Sequence, residues 1–270
     1  MNVAPPAPPA PLGVFDSGIG GLTVARALFE RLPGESVIYF GDTARVPYGP
    51  KSPETVRRYS SEILAFLLRR GVKAVVVACN TSTAHALGHL QKQSPVPVVG
   101  VIEPGARAAV AATKTGVIGV IGTAGTIASG AYERAIKALQ PNAKVHGQAC
   151  PLLVPLVEEG WFEHPAAELI AREYLEPLRR AGVDVLVLGC THYPLLKPLL
   201  ARVMGPNVRL VDSAEETATV VAGELQKLGL LASGGNHDHR FVVSDDEPHF
   251  RRVGALFLGE KLKQVEVVPL

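Results

Sequence analysis

The sequence has 270 residues, 47% hydrophobic and 19% charged, and this composition predicts a chain with a large buried core. Lys and Arg number 27 against 25 Asp and Glu, and they form no basic cluster, which argues against nucleic acid as the main partner. Three cysteines are too few for a disulfide framework and predict reduced thiols in a cytoplasmic protein. No apolar stretch approaches the roughly 20 residues of a membrane span, so no membrane partner is expected.

Short apolar runs alternate with amphipathic stretches along most of the chain. Residues 1–11 precede them as a Pro/Ala-rich segment that lacks the features of a signal peptide and predicts a disordered tail. One amphipathic stretch, 53–70, begins with Ser52 at a cap position and Pro53 in its first turn, as helices do. The apolar runs are rich in Val, Ile and Leu and predict parallel strands at 12–15, 37–40, 74–78, 96–101, 116–121, 144–146, 183–188 and 208–211. The predicted fold class is therefore α/β.

Two kinds of strand-end loop occur twice in the chain. DSGIGG follows Phe15 and GTAGTIASG follows Ile121, while CNT follows Ala78 and CTH follows Gly189. This repetition predicts two similar α/β domains with mostly parallel sheets. Their predicted limits are 12–103 plus 216–270 for the first domain and 104–215 for the second. Near the C-terminus, the segments FVVS and QVEVVP are expected to pair as a small hairpin.

Cys79 and Cys190 are the residues most indicative of chemistry, because each follows a strand and opens a predicted helix. A helix N-terminus presents free N–H groups, so we expect it to stabilise a thiolate and lower the thiol pKa from its usual value of about 8.5. A buried apolar role is the alternative for a single free cysteine. The same setting in both halves favours two thiols that approach one ligand from opposite sides, as inversion at a carbon requires.

Other chemistries would use the thiols differently. A hydrolase with a cysteine nucleophile needs only one thiol together with a histidine and an oxyanion hole. A zinc site would draw on Cys79, Cys150, Cys190 and His192, but the CxxC and HxxxH spacings are absent, so no metal is expected.

Polar residues at other strand ends predict an anion-binding site. Asp16 and Ser17 precede a glycine-rich loop that can approach a carboxylate closely, and the loop 42–49 carries Tyr48 and Gly49. The alternative for Asp16 is a turn or cap residue.

Three further side chains have both a chemical and a structural interpretation. His192 follows Cys190 by two residues and could set the protonation of that thiol, or could simply bind a backbone carbonyl. Thr123 and Thr126 could bind an anion or cap a helix.

Six segments of the chain form a more specific pattern: VFDSGIGGLTV (14–24), YFGDTARVPYG (39–49), VVVACNTSTAH (75–85), GVIGTAGTIASGAY (119–132), ACPLLVPLVEEG (149–160) and LGCTHYPLL (188–196). Together they resemble the glutamate racemases of the aspartate/glutamate racemase superfamily. The resemblance implies two α/β domains with the active site in the cleft between them. It also implies that the chain racemises L-glutamate to D-glutamate for peptidoglycan and forms a homodimer.

The resemblance also implies a role for individual residues. Cys79 and Cys190 match the two catalytic acid/base groups, and Asp16, His192 and Glu158 match the groups that assist them. Asp42 matches a family position near the site. The implied substrate contacts are Asp16, Ser17, Tyr48, Gly49, Asn80, Thr81, Thr123, Thr126, Thr191 and His192.

No cofactor is expected. A pyridoxal cofactor would need a Schiff-base lysine, and only Lys51 lies in a strand-end loop, at a helix start. Three other interpretations stay open at this point: a racemase for aspartate, another cysteine-dependent isomerase or hydrolase of the superfamily, and a non-catalytic protein that binds small anions.

Overall fold

A computed structural model describes residues 7–234, 238–259, 262 and 264–270 of the chain. Its strands are β1 (Leu12–Asp16), β2 (Val37–Gly41), β3 (Ala74–Val77), β4 (Val98–Gly100), β5 (Val117–Gly122), β6 (Lys144–Ala149), β7 (Val185–Gly189), β8 (Arg209–Val211), β9 (Arg240–Val243) and β10 (Val265–Val267). All the strand pairings in the described residues are parallel.

Helices connect the strands throughout. They are α1 (Leu22–Arg31), α2 (Pro53–Arg69), α3 (Asn80–Gln93), α4 (Ile102–Ala112), α5 (Ala124–Ala128), α6 (Ala131–Leu139), α7 (Leu153–Glu158), α8 (Pro165–Arg180), α9 (Lys197–Met204), α10 (Ala214–Lys227) and α11 (Glu247–Leu258), with a 3₁₀ turn at Tyr193–Leu196. The start of α2 is as predicted, because the Ser52 hydroxyl accepts a hydrogen bond from the Thr55 N–H at 3.2 Å.

The strands form two sheets of related topology. The first sheet has the order β10-β9-β2-β1-β3-β4 and the second has the order β6-β5-β7-β8. The segment β2-β1-β3-β4 therefore corresponds strand for strand to β6-β5-β7-β8. Since both sheets are parallel and covered by helices, the predicted α/β class is confirmed.

The C-terminal segment differs from its prediction. Strands β9 and β10 do pair, but they run parallel and α11 lies between them, so the predicted hairpin is wrong. A helical crossover returns the chain to the same edge of the sheet, which a tight turn cannot do in a parallel pair. The domain limits inferred from the sequence stay a prediction.

The predicted disordered tail falls partly outside the described residues, which begin at residue 7. Residues 7–11 form a turn in which the Ala10 N–H donates to the Ala7 carbonyl at 3.0 Å. The Lys73 N–H donates to the Pro11 carbonyl at 2.9 Å. The expectation of disorder therefore does not describe residues 7–11, since hydrogen bonds to the body of the protein hold them.

The largest cluster of buried apolar side chains contains residues from both halves, such as Val14 and Leu22 from the first and Leu153 and Leu186 from the second. The two halves therefore share part of one core. Within the described residues, no helix is both long and apolar enough to cross a membrane. Parallel strands bring the loops at their carboxyl ends to one edge of each sheet, and these loops carry the site.

Candidate active site

A small cavity of about 30 Å³ lies where the strand-end loops of the two halves meet. Both predicted thiols, Cys79 and Cys190, line it. Eight more of the predicted residues do so as well: Ser17, Tyr48, Gly49, Asn80, Thr81, Thr123, Thr191 and His192. Val46, Pro47, Val154 and Gly189 complete the lining. Asp16, Glu158 and Thr126 are predicted site residues that lie outside this lining.

Cys79 is the N-cap residue of α3, as the sequence predicts. Its sulfur accepts a hydrogen bond from the Ser82 N–H at 3.4 Å, and its side chain is only 5% exposed. The predicted lowering of its pKa is wrong. Burial raises the pKa of the Cys79 thiol to about 11 and the nearby Asp16 carboxylate adds to this rise, whereas Ser82 and Ser17 oppose it through hydrogen bonds. Desolvation thus outweighs the helix N-terminus here.

Cys190 follows β7 and stands two residues before the 3₁₀ turn rather than at the start of an α-helix. Its sulfur lies 3.9 Å from Nδ1 of His192, and Nε2 of the same ring lies 2.9 Å from a carboxylate oxygen of Glu158. Burial lowers the pKa of His192, but Cys190 and Glu158 together outweigh burial and raise it to about 10. The ring is therefore an imidazolium at neutral pH, held between a thiol and a carboxylate.

Glu158 is the outer member of this row. It ends α7, and its carboxylate is partly exposed. Burial raises the pKa of Glu158, but the hydrogen bond and charge of His192 lower it overall. An ionised Glu158 keeps the imidazolium oriented toward Cys190.

Asp16 lies behind the cavity, at the end of β1, and is fully buried. Its carboxylate accepts hydrogen bonds from the Gly18 N–H at 2.9 Å and from the Thr191 hydroxyl at 3.4 Å. Burial raises the pKa of Asp16, and the His192 charge opposes this rise. Because Asp16 also acts on Cys79, its carboxylate interacts with both sides of the site.

The loop after β2 uses the Tyr48 side chain for structure. The Tyr48 hydroxyl donates to the fully buried Asp42 carboxylate, which also accepts from Arg45 at 2.7 Å and from the Ser244 hydroxyl at 2.9 Å. The Tyr48 ring packs in one apolar cluster with Cys79. A substrate contact by Tyr48 would therefore come from its backbone or ring face, since its hydroxyl is engaged.

The same loop makes a direct contact between the halves. The Gly125 N–H donates to the Gly49 carbonyl at 3.0 Å, and the Gly125 carbonyl lies 3.1 Å from Nε2 of His85. Burial lowers the pKa of His85, so the neutral ring donates this hydrogen bond. A Cβ on Gly49 would lie 2.8 Å from the Thr123 Cβ, so the close approach requires glycine.

Three threonines connect the halves beside this contact. The Thr81 hydroxyl lies 2.9 Å from that of Thr123 and 3.2 Å from that of Thr126. The Thr123 hydroxyl also caps α5 by accepting from the Thr126 N–H at 3.2 Å, so the capping interpretation is correct as well. Thr126 is buried behind the other two and reaches the cavity only through them. Asn80 is oriented by the Tyr132 hydroxyl, which donates to its amide oxygen at 2.7 Å.

Gly20 is a site residue that the sequence pattern did not single out. A Cβ at this position would lie 2.4 Å from the Thr191 hydroxyl oxygen and 2.5 Å from Nδ1 of His192. The glycine loop of the first half therefore lies directly against the residues that follow Cys190 in the second. The signal was present in the repeated glycines of DSGIGG, but their partner could only be known from the fold.

Metal and cofactor binding were considered from the side chains present. Among the described residues, no group of three or more His, Cys, Asp or Glu side chains is arranged to hold a metal ion. The cavity lining described here includes no lysine. The fully buried Lys73 lies elsewhere, 2.5 Å from Glu35 and 2.8 Å from the Leu230 carbonyl. These side chains offer thiols, hydroxyls, amides and one imidazolium for chemistry.

Comparison with known proteins identifies the class of enzyme that this fold and site define. Residues 19–221 match the model of the Asp/Glu/Hydantoin racemase family, which is most of the chain. The chain belongs to the Asp/Glu/Hydantoin racemase family, as the sequence motifs predicted, and it is accordingly an isomerase.

Individual relatives give the same result at higher resolution. The chain is 57% identical over 260 residues to the glutamate racemase of Geobacter metallireducens, covering 96% of each chain. It is similar to the solved glutamate racemase RacE1 of Bacillus anthracis, with 44% identity, a TM-score of 0.93 and coverage of 97% of this chain and 98% of that one. The glutamate racemase of Francisella tularensis in complex with D-glutamate is 38% identical, with a TM-score of 0.91 and coverage of 96% and 97%.

Proposed function

We propose that this chain interconverts L- and D-glutamate without a cofactor, with Cys79 and Cys190 as the two acid/base groups. One observation carries this proposal: the two sulfurs come from equivalent strand ends of two similar halves and line one cavity. Similarity over nearly the full length to proteins named glutamate racemase supports glutamate as the substrate.

The proposed reaction moves one proton from each face of the substrate carbon. A thiolate removes the Cα proton from one side, and the thiol opposite delivers a proton to the other side. After one turnover the first cysteine is a thiol and the second is a thiolate, so the reverse isomer reacts from that state. This alternation needs no group besides the two sulfurs to take or give the transferred proton.

The surrounding residues support the difficult step, which is formation of negative charge at Cα. A Cα proton is a far weaker acid than a thiol, so the site must stabilise the carbanion with fixed donors in a dry cavity. Asn80, Thr81 and Thr191 line the cavity and provide such donors. The His192 imidazolium stabilises negative charge on Cys190, and Asp16 and Ser17 lie beside Cys79.

Substrate carboxylates would bind chiefly to hydroxyl and N–H groups. Ser17, Gly49, Thr123 and Thr191 line the cavity and supply neutral donors. Tyr48 would contribute through its backbone, and Thr126 would act by orienting Thr81 and Thr123.

The activity is tested by circular dichroism of L- and D-glutamate solutions incubated with the protein alone. Each enantiomer should lose its signal toward the racemate without pyridoxal phosphate or metal. Incubation with L- and D-aspartate separates the proposed substrate from the open alternative. Bound glutamate that never changes its optical rotation would instead indicate a binding protein.

Heavy water tests the two-thiol mechanism. Starting from L-glutamate, the early D-glutamate product should carry deuterium at Cα, while recovered L-glutamate should keep its original hydrogen. Early product that retains its hydrogen would indicate a single base that carries one proton across both faces, and would contradict the mechanism.

The proposal extends to the setting of the enzyme. D-glutamate formed in the cytoplasm would supply peptidoglycan synthesis, and the chain would act as a homodimer, as the family resemblance implies. Sedimentation velocity on the purified protein, with and without glutamate, tests the dimer.

A further inference from the structure

The first turn of α3 places Ser82 directly against Cys79. The Ser82 N–H donates to the sulfur at 3.4 Å, because Cys79 occupies the N-cap position three residues earlier. The Ser82 side chain is fully buried. Its hydroxyl oxygen has no partner of normal hydrogen-bonding geometry among the described residues. A buried hydroxyl without a partner is costly, so it calls for an explanation.

The neighbouring hydroxyls of the same turn have structural partners. The Thr81 hydroxyl lies within hydrogen-bond distance of Thr123 and Thr126. The Thr83 hydroxyl donates to the Val77 carbonyl at 3.0 Å. Helix geometry and packing thus account for both threonines but leave the serine between them unexplained.

We propose that the Ser82 hydroxyl donates a hydrogen bond to the Cys79 sulfur whenever that sulfur is a thiolate. This inference rests on the proposed two-thiol mechanism, in which Cys79 alternates between thiol and thiolate. A neutral thiol is a weak acceptor and leaves the hydroxyl without a good partner, whereas a thiolate is a strong one. The unpaired hydroxyl in the thiol state is then the counterpart of a paired hydroxyl in the thiolate state.

The other groups around Cys79 leave room for such a donor. Burial and the Asp16 carboxylate both disfavour the thiolate. Burial also raises the pKa of Tyr39 and of Tyr48, so both phenols are neutral near Cys79 at physiological pH. Ser17 is a second hydroxyl donor to the sulfur, but it lines the cavity where substrate would compete for it. Ser82 is absent from the described lining and keeps its hydroxyl for the sulfur.

The test is the pH-dependent alkylation of each cysteine by iodoacetamide, followed peptide by peptide with mass spectrometry. We expect Ser82→Ala to slow alkylation of Cys79 at about pH 8 by about 3- to 10-fold, the effect of one hydrogen bond of ordinary net strength. The midpoint of its pH profile should move upward, while alkylation of Cys190 stays at the wild-type rate. Ser82→Thr keeps a hydroxyl and should restore most of the Cys79 rate.

Ser60→Ala is the matched control. Ser60 is also fully buried, and its hydroxyl also has no hydrogen-bond partner among the described residues, but it lies within α2 and outside the described cavity lining. This variant should leave both alkylation profiles unchanged. Ser82→Gly, a second variant without the hydroxyl, must behave as Ser82→Ala does.

The outcomes separate this inference from the proposed function. An unchanged Cys79 profile in folded Ser82→Ala, with racemisation still dependent on Cys79, overturns the role of Ser82 alone. Racemisation that survives Cys79→Ser overturns the proposed function itself, whatever the Ser82 variants do. A slowing of both cysteines to the same extent would indicate a general structural effect and would also overturn the role of Ser82.

Discussion

The two halves of the molecule carry a cysteine at the same point of the same strand order, yet they surround the two sulfurs differently. Cys79 caps a 14-residue helix and receives a backbone N–H, and its strongest ionic neighbour is a carboxylate. Cys190 precedes a 3₁₀ turn and lies beside an imidazolium that a second carboxylate holds in place. A repeated topology therefore determines where a thiol stands, whereas the side chains around it determine how it holds a proton.

This difference predicts an unequal resting state. Because the Cys79 pKa is raised to about 11, the thiol keeps its proton at neutral pH in the substrate-free protein. The imidazolium favours negative charge at Cys190. The enzyme at rest is thus better prepared to deprotonate the isomer whose Cα hydrogen faces Cys190.

Removing either sulfur is the strongest way to break the comparison. Cys79→Ser and Cys190→Ser should each reduce kcat by about 10²- to 10⁴-fold or more, since an alcohol is a much weaker acid than a thiol and a poor base at neutral pH. Glutamate binding, measured by calorimetry, should stay close to wild type. Cys150→Ser is the control, because that buried thiol is outside the described cavity lining. Substantial racemisation by either of the first two variants would refute the shared role.

Removing one assisting group should reveal the asymmetry. We expect His192→Asn and Asp16→Asn to lower kcat by about 10- to 100-fold, the value of a hydrogen bond to a charged group, with unequal losses for L→D and D→L. The equilibrium constant for racemisation is one, so a difference in kcat must be balanced by KM. Asp16 interacts with both sides, so its variant should be the less asymmetric of the two. Equal losses in both directions for both variants would remove the distinction between the halves.

The contact between the halves can be disturbed without changing a polar group. Gly20→Ala places a Cβ 2.4 Å from the Thr191 hydroxyl oxygen, and we expect a loss of about 1–3 kcal/mol of stability together with a raised KM. Gly88→Ala is the control, because a Cβ there meets nothing within 4 Å and lies within α3. Thermal unfolding and steady-state kinetics of the two variants provide the comparison. A Gly20→Ala enzyme with unchanged KM and stability would show that this approach is not needed.

The smallest expected effect concerns the charge beside Cys79. Asp16 raises the pKa of the Cys79 thiol, so Asp16→Asn should move its alkylation profile to lower pH by a few tenths of a unit to about one unit. Iodoacetamide labelling of the Cys79 peptide across the alkaline range measures the shift. Asp184→Asn should not move the profile, since that carboxylate binds Thr113 outside the described lining. A shift in the opposite direction would mean that the lost hydrogen bonds of Asp16 matter more than its charge.

The sequence predicted those features that depend on a short stretch of chain. The strand ends, the helix start at Ser52 and the cap position of Cys79 follow from local composition and turn chemistry. The contact of His192 with Glu158 at 2.9 Å also agrees with the family pattern, although the residues are far apart in the chain.

Features that depend on burial or on a distant partner were missed. The raised pKa of Cys79 reflects how completely the fold removes water from the sulfur, which a helix N-terminus in the sequence cannot reveal. The partner of Gly20 and the unpaired hydroxyl of Ser82 are likewise set by packing between elements. The parallel pairing of β9 with β10 depends on α11 crossing over the sheet.

The interrupted first sheet has a consequence for synthesis on the ribosome. The second sheet is continuous in the chain and is complete once Val211 has emerged, but the first sheet lacks its outer strands until β9 and β10 are made. Until then β2, whose five residues are all buried in the finished protein, presents an apolar open edge. A nascent or truncated chain that ends before Arg240 already contains both thiols but exposes the edge at which aggregation begins. The last thirty or so residues therefore act as the built-in cover of this strand, and their loss should be recognised by insolubility before it is recognised by lost turnover.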